Sequence, residues 1–221
     1  MTDSVFVTLN EKETLAQLLQ KFHDDWHQER EYDKGINNSN QRGNIIMAET
    51  LATIQKRKST RGFKSEQIPA AALDTILKAG EAAPVGMGAF DTIHFTVVQN
   101  AELIKKISDA ATRGTPRAGV DIFYGAPTLI IVSSAAQPFP GLDLVDAGGI
   151  IQNFLLAATD IGIDSVHILG TTAAFTADPE LLQLVGIPEG FKVISSAIFG
   201  YATEAALAIP KPPRSIAVNR V

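Results

Sequence analysis

The segment from about residue 143 to 161 constrains this chain most. It is apolar almost all round, broken over 144–163 by Asp146, Gln152, Asn153 and Asp160, and the helix ends at Gly162. A helix without a polar stripe has to be buried on every side. One chain of this size can hardly cover all its faces, so the segment is predicted to lie in a subunit interface. Its polar interruptions leave no run of the roughly eighteen apolar residues that a membrane span needs, and no other stretch supplies one.

The elements around it follow from their periodicity. Helices are predicted from about Met47 to Lys58, from Pro69 to Ala83 with Pro84 as the stop, from Ala101 to Ala111, and over the short run that starts at Asp178. Pro69 suits a first helical turn, and Asp178 suits an N-cap. Residues 93–99 and 126–134, with 163–170 and 192–200, read as strands. The run APTLIIVSS (126–134) is almost wholly apolar, as expected of a strand covered on both faces. Strict βαβ alternation is missing, so the expected fold is α+β, one sheet covered by helices.

Residues 11–32 carry Leu15, Leu18, Leu19 and Phe22 at helical spacing, with Trp26 extending that face. The Asn- and Gly-rich stretch 33–44 then reads as a linker. The expected organisation is an N-terminal helical arm, 1–45, too small for a core of its own, and a main domain, 46–221.

Composition narrows the chemistry. The net charge of −5 speaks against a nucleic-acid partner. With no cysteine, disulfides, thiolate metal sites and cysteine nucleophiles are excluded. The chain lacks GxGxxG, the P-loop, HExxH and GxSxG. His23 and His27, four apart on the arm, are better read as a polar helix face than as metal ligands, and no metal site is expected. The opening residues show no signal-peptide pattern, so a cytoplasmic protein is expected.

Against this acidic background IQKRKSTRGF (54–63) concentrates Lys56, Arg57, Lys58 and Arg61, with Lys64 just after. Cations in a last helical turn favour the negative helix end by well under ~1 kcal/mol, and capping alone would account for them. A second basic group, Lys211 and Arg214 on the proline-stiffened PKPPRS, offers another account. Two cationic segments from opposite ends of the chain would converge on one anion, with Arg suited to bidentate phosphate contact.

Several segments, in order, resemble the FMN-dependent nitroreductase family over about residues 46–221. MAETLATIQKRKSTRGFK (47–64) is similar to its helix followed by an Arg-Arg/His-Ser-x-Arg/Lys-x-Phe segment, and LDTILKAGEAAP (73–84) to its second element. DAGGIIQNFLLAATDIGIDS (146–165) resembles its central helix, and LLQLVGIPEGFKVISSAIFGYA (181–202), followed by PKPPR, its ending. The resemblance implies a dimer with a central, mostly antiparallel sheet flanked by helices, and two FMN sites at the interface. Arg57, Lys58, Ser59 and Arg61 would hold the phosphate and ribityl chain, and Lys211 and Arg214 would complete the phosphate site. The backbone at Leu169 and Gly170 would face the ring and donate towards N5. Val85, Gly86, Met87 and Gly88 would lie beside the flavin, Gly86 and Gly88 offering backbone N–H groups; otherwise VGMG is a flexible turn. Here the chain departs from the family's Ser-x-x-Asn-x-Gln-Pro-Trp, for VGMGAFDT lacks the hydroxyl, the amide and the tryptophan.

The activity implied is ping-pong hydride transfer from NADH or NADPH through FMN to a nitroaromatic, quinone or activated alkene, with no catalytic side chain. The alternatives are a non-catalytic FMN-binding or storage protein, and a flavin-free dimeric scaffold. Gln152 and Asn153 read either as catalytic amides or as buried amides paired across a dimer. His167 reads as a general acid or a hydrogen-bonded strand residue, and Phe123 and Tyr124 as pocket lining or core.

Overall fold

The computed structural model of the protein describes residues 49–207 and 216–221. The predicted arm with its boundary near 45, the His23/His27 pair, Lys211 and Arg214 lie outside the described residues.

Four strands form one antiparallel sheet: β1 (Ile93–Val98), β2 (Thr128–Ser134), β3 (Asp164–Ile168) and β4 (Lys192–Gly200), in the order β1-β2-β4-β3. β2 is buried at every position, as its composition predicts. Alternation along the strands sends side chains to two separate cores. On one face Ile130, Val132, Ala197 and Phe199 meet α2 (Ala70–Glu81) and α4 (Leu142–Asp160). On the other Leu129, Ile131, Ile168 and Ile198 meet α3 (Ala101–Thr112), α5 (Thr171–Ala177) and α6 (Glu180–Leu184). Two shorter helices frame the later discussion: α1 (Glu49–Lys56) precedes the basic turn, and α7 (Glu204–Leu207) follows β4.

Local signals explain the boundaries. Asn100 caps α3 by accepting the Leu103 N–H at 2.9 Å. Gly162, at φ 78°, ends α4, and the next N–H, of Ile163, reaches back to the Ala158 carbonyl at 2.8 Å. Phe154 of α4 is fully buried and stacks edge-on against Phe95 and Phe199. A Cβ at Gly80 would lie 2.0 Å from its ring, so glycine is what lets α2 and α4 close together.

Within the single chain α4 is covered in part. Ala147, Ile150, Ile151, Phe154 and Leu155 are buried, but Leu144 and Val145 are 63% and 71% exposed, and Gln152 is exposed too. The sheet and α2 pack on the helix, α1 touches its end, where Thr53 Oγ1 donates to Asp160 Oδ1 at 3.1 Å, and the face with Leu144 and Val145 stays open, as expected of a segment one chain cannot cover. α5, α7 and the two 3₁₀ turns, Gly86–Gly88 and Phe90–Thr92, were not predicted. They are too short for periodicity to show.

Candidate functional site

The basic turn begins where α1 runs out, with the Arg57 N–H still bonded to the Thr53 carbonyl at 3.0 Å. From Thr60 onward the chain is tied down on both sides. Thr60 donates its N–H to the Ser165 carbonyl at 3.1 Å. Phe63 pairs with Ala202 in an isolated bridge, Lys64 N–H reaches the Tyr201 carbonyl at 2.8 Å, and Thr203 N–H reaches Gly62 at 3.0 Å. The packing is close: a Cβ at Gly62 would stand 3.0 Å from Thr203 Oγ1 and 3.2 Å from Ala206 Cβ. Asp164, first residue of β3, joins both partners through one carboxylate. Oδ1 accepts the buried Thr60 hydroxyl at 3.0 Å, and Oδ2 accepts the Ala202 N–H at 3.0 Å. Hydrogen bonds to a charged acceptor contribute about 1.5–3 kcal/mol each.

Lys58 answers part of the question raised by the sequence. Its Nζ donates to the carbonyls of Ala206 and Leu207, each at 3.2 Å, so it caps the end of α7 rather than of its own helix. One ammonium proton remains. Arg61 is exposed and has no ion-pair partner among the described residues. The hydroxyl and N–H of half-buried Ser59, and the Lys58 N–H, likewise have no hydrogen-bond partner there. Beside the turn is a cavity of ≈ 260 Å³ lined by Lys56, Lys58, Thr159, Asp164, Ser165 and Leu207.

β3 carries the second predicted segment. It leads from Asp164 to Leu169, 66% exposed, and Gly170. The carbonyls of these two residues take part in the turn into α5, bonding Thr172 and Ala173, while their N–H groups have no backbone partner among the described residues. The basic turn and the Leu169–Gly170 segment are thus brought onto one strand, Thr60 at its start and Leu169 just past its end.

The third segment stands apart. Val85–Gly88 is a 3₁₀ turn against the start of α4, and no hydrogen bond among the described residues links it to the other two. The Gly86 N–H donates to Asp146 Oδ1 at 2.9 Å, and a Cβ there would meet Leu142 Cδ1 at 2.5 Å. Met87 sits at φ 59° and Gly88 at φ 65°, so this stretch is an ordered left-handed turn. Met87 and Phe90 are exposed, at 43% and 55%. Asp146 is buried, and its second oxygen has no partner among the described residues.

Other candidates resolve plainly. Asn153 donates to the Ala79 carbonyl at 2.9 Å, tying α4 to α2 within one chain instead of pairing with another amide; Gln152 is exposed. Phe123 is fully buried and belongs to the core, while Tyr124, at φ 56°, is half-buried and its carbonyl receives the Phe63 N–H. His167 bonds Ser195 Oγ through Nε2 at 2.6 Å, and burial of the ring lowers its pKa. No cluster of metal-binding side chains occurs among the described residues. Sequence reasoning missed Thr60, Asp164 and Asp146. Thr60 and Asp164 are 104 positions apart, and nothing in either neighbourhood marks them as partners.

The nitroreductase family model matches residues 54–201, more than half of the chain and all three segments. The chain belongs to the nitroreductase family. Among curated relatives, a protein of Archaeoglobus fulgidus provisionally named NADH dehydrogenase/NAD(P)H nitroreductase is 34% identical over 157 residues, covering 70% of this chain and 86% of that one. A nitroreductase from Bacteroides fragilis solved with bound FMN superposes with a TM-score of 0.69 at 34% identity, over 78% of this chain and 98% of that one. One from Desulfitobacterium hafniense, also with bound FMN, gives 0.69 at 30% identity, over 80% and 100%. In this nitroreductase-family fold, among the described residues, no helix is long and apolar enough to cross a membrane.

Proposed function

We propose that the protein is an FMN-dependent oxidoreductase that takes hydride from NADH or NADPH and delivers it to an electron-poor small molecule: a nitroaromatic, a quinone or an activated alkene. The observation that carries this reading is the arrangement of donors that have no partner among the described residues. The turn that carries Lys58, Ser59 and Arg61 is tied through Thr60 to the start of β3, and the Leu169 and Gly170 N–H groups follow its other end. A phosphate at one end and a flavin ring at the other would satisfy both sets, so the residues present fit FMN.

Bound FMN supplies the two-electron chemistry; the protein holds and tunes it. Arg57, Ser59 and Arg61 bind the phosphate, and Lys58 adds its remaining proton. In this reading Lys211 and Arg214 complete the phosphate site, as the resemblance implies. The N–H groups of Leu169 and Gly170 donate to the ring edge around N5 and favour the negative charge of the reduced ring. No side chain acts as acid or base. Nicotinamide and acceptor would occupy the same place over the flavin in turn, in keeping with the missing dinucleotide fingerprint.

Two copies pairing through the exposed side of α4, where Leu144 and Val145 lie open, would bring one copy's 85–88 turn to the other's flavin. The protein works as a cytoplasmic homodimer in this reading. One observation favours a second reading, FMN storage without turnover: the 85–92 segment lacks the hydroxyl, amide and tryptophan of the family pattern. The test is the visible spectrum of purified protein, followed by anaerobic stopped-flow mixing with NADH and NADPH. Bleaching of a bound-flavin band by either supports the enzyme. A flavin band that neither reduces supports storage, and protein that takes up no added FMN overturns both.

A further inference from the structure

Asp164 has a place in the site that neither reading assigns. Its two carboxylate oxygens hold two segments that are remote in sequence, the basic turn through Thr60 and the end of β4 through Ala202, each at 3.0 Å. The aspartate is itself the first residue of β3, the strand that ends at Leu169–Gly170. One side chain thus fixes the phosphate-facing turn, the segment leading toward Lys211 and Arg214, and the ring-facing strand in a common frame. Thr60 reinforces it, with its N–H on the Ser165 carbonyl at 3.1 Å and its side chain 1% exposed. A bare carboxylate beside a phosphate would repel it. Here both oxygens face donors of the protein, Asp164 borders the same cavity as Lys56 and Lys58, and its negative charge is directed into the scaffold.

We propose that Asp164 is a positioning residue that sets the spacing between phosphate cradle and ring site, and so selects FMN over riboflavin. The proposal rests on the FMN reading above. Riboflavin has the same ring and ribityl chain but no phosphate. Loosening the cradle therefore weakens FMN and leaves riboflavin largely as it was. A general loss of fold would weaken both alike.

The experiment measures Kd for FMN and for riboflavin on the full-length apoprotein, by quenching of flavin fluorescence, with thermal unfolding of each apoprotein alongside. The variants are Asp164→Ala, Thr60→Val, which keeps the shape and removes the hydroxyl, and Thr60→Ser, which restores it. Expected for Asp164→Ala is a fall of about tenfold or more in the FMN-to-riboflavin affinity ratio, the scale of one lost hydrogen bond to a charged group. Thr60→Val should lower the ratio by a smaller factor, and Thr60→Ser should keep the wild-type value. If Asp164→Ala does not fold, Thr60→Val decides. An unchanged ratio in the folded variants, whether both affinities fall together or neither moves, overturns the inference while leaving FMN binding intact. Wild-type protein that binds neither flavin removes the functional reading itself, and this inference with it.

Discussion

The turn at 57–64 and the turn at 85–88 were both predicted to touch the cofactor, yet they are built in opposite ways. The first is held by backbone pairing: Thr60 to Ser165, Phe63 to Ala202, Lys64 to Tyr201 and Thr203 to Gly62, with Asp164 bracing both sides. Among the described residues the second is anchored to the rest of the fold by one hydrogen bond, from the Gly86 N–H to the Asp146 carboxylate. A segment tied into the sheet keeps its geometry whatever its exposed side chains are. A segment hung on one carboxylate can change composition without disturbing the core. The basic turn stays near the family pattern, with Lys58 in place of Arg or His, and the glycine turn departs from it at more positions.

Alanine at two of the close-approach glycines, one beside the first turn and one within the second, tests the contrast most directly. At Gly200, beside the bridge, a Cβ would lie 2.8 Å from Pro127 Cδ and 3.1 Å from Phe63 Cδ1, both in closed rings that cannot easily move aside. Gly200→Ala should cost about 1–3 kcal/mol of stability. At Gly86 the obstacle, Leu142 Cδ1 at 2.5 Å, is nearer, but it is the far end of a half-buried flexible side chain. Gly86→Ala should therefore cost less than ~1 kcal/mol. Urea unfolding of the two variants gives the ranking, and the reverse order would show that the 85–88 turn is the more rigid of the two.

Next in size is removal of the single anchor. Asp146→Ala deletes the acceptor of the Gly86 N–H, a bond of the same class as those of Asp164 at about 1.5–3 kcal/mol, but it also removes the offsetting cost of a buried oxygen that has no partner among the described residues. The net loss of stability should stay below ~1 kcal/mol by urea unfolding. Amide exchange at Gly86 and Gly88 should quicken, with exchange at Thr60 and Phe63 unchanged. A global loss comparable with that of Gly200→Ala would contradict the one-anchor description.

What the sequence revealed follows the same division. The four strands, the α2–α4 pair and the basic turn were legible because each is written in adjacent residues: an apolar run, a helical period, a cluster of cations. Asp164 was not, because its meaning lies in Thr60 and Ala202, which come near only when β3 and β4 pair. Asp146 was read as a break in an apolar helix and proves to be the peg of a remote turn. The apolar character of α4 was legible, but not which of its residues, such as Leu144 and Val145, one chain leaves open, because composition does not say which side the sheet covers. Lys58 was read either as a helix cap or, by resemblance, as a cofactor ligand; that its Nζ bonds the end of α7 was not legible, because that helix is too short to be seen beforehand.

The two acids near the start of α4 extend the comparison to pH. Asp143 is buried and pairs with Lys192 Nζ at 2.8 Å. The hydrogen bond from Lys192 holds its pKa below the usual carboxylate value of 3.8, against the opposing effect of burial. A depressed folded pKa adds stability that is present above the unfolded value and is lost as pH falls through the folded one. Lys192→Met takes away the cause and leaves burial, so the acid-unfolding midpoint should move to higher pH. At neutral pH the change should be under ~1 kcal/mol, because Lys192 is largely exposed. Circular dichroism from pH 6 to 2 would show it, and superimposable acid transitions would mean the pair contributes nothing.

The smallest effect is expected on the strand that joins the two ends of the site. His167, between Asp164 and Leu169, is exposed over much of its surface, yet its ring is desolvated enough to titrate below the usual 6.5, and Nε2 is occupied by Ser195. Below pH 6.5 the unfolded chain therefore takes up a proton at this residue more readily than the folded one. Stability from this source is complete above pH 6.5 and declines as pH drops toward the lowered value. The slope should be shallow because the side chain is partly solvated. His167→Gln, which keeps a hydrogen-bonding group and cannot titrate, should flatten it, with stability at pH 8 within ~0.5 kcal/mol of wild type. Parallel curves for the two proteins between pH 7 and 5 would show that β3 is indifferent to its histidine. A flattened curve would make that strand, already held at its foot by Asp164, the one part of the site whose stability follows physiological pH.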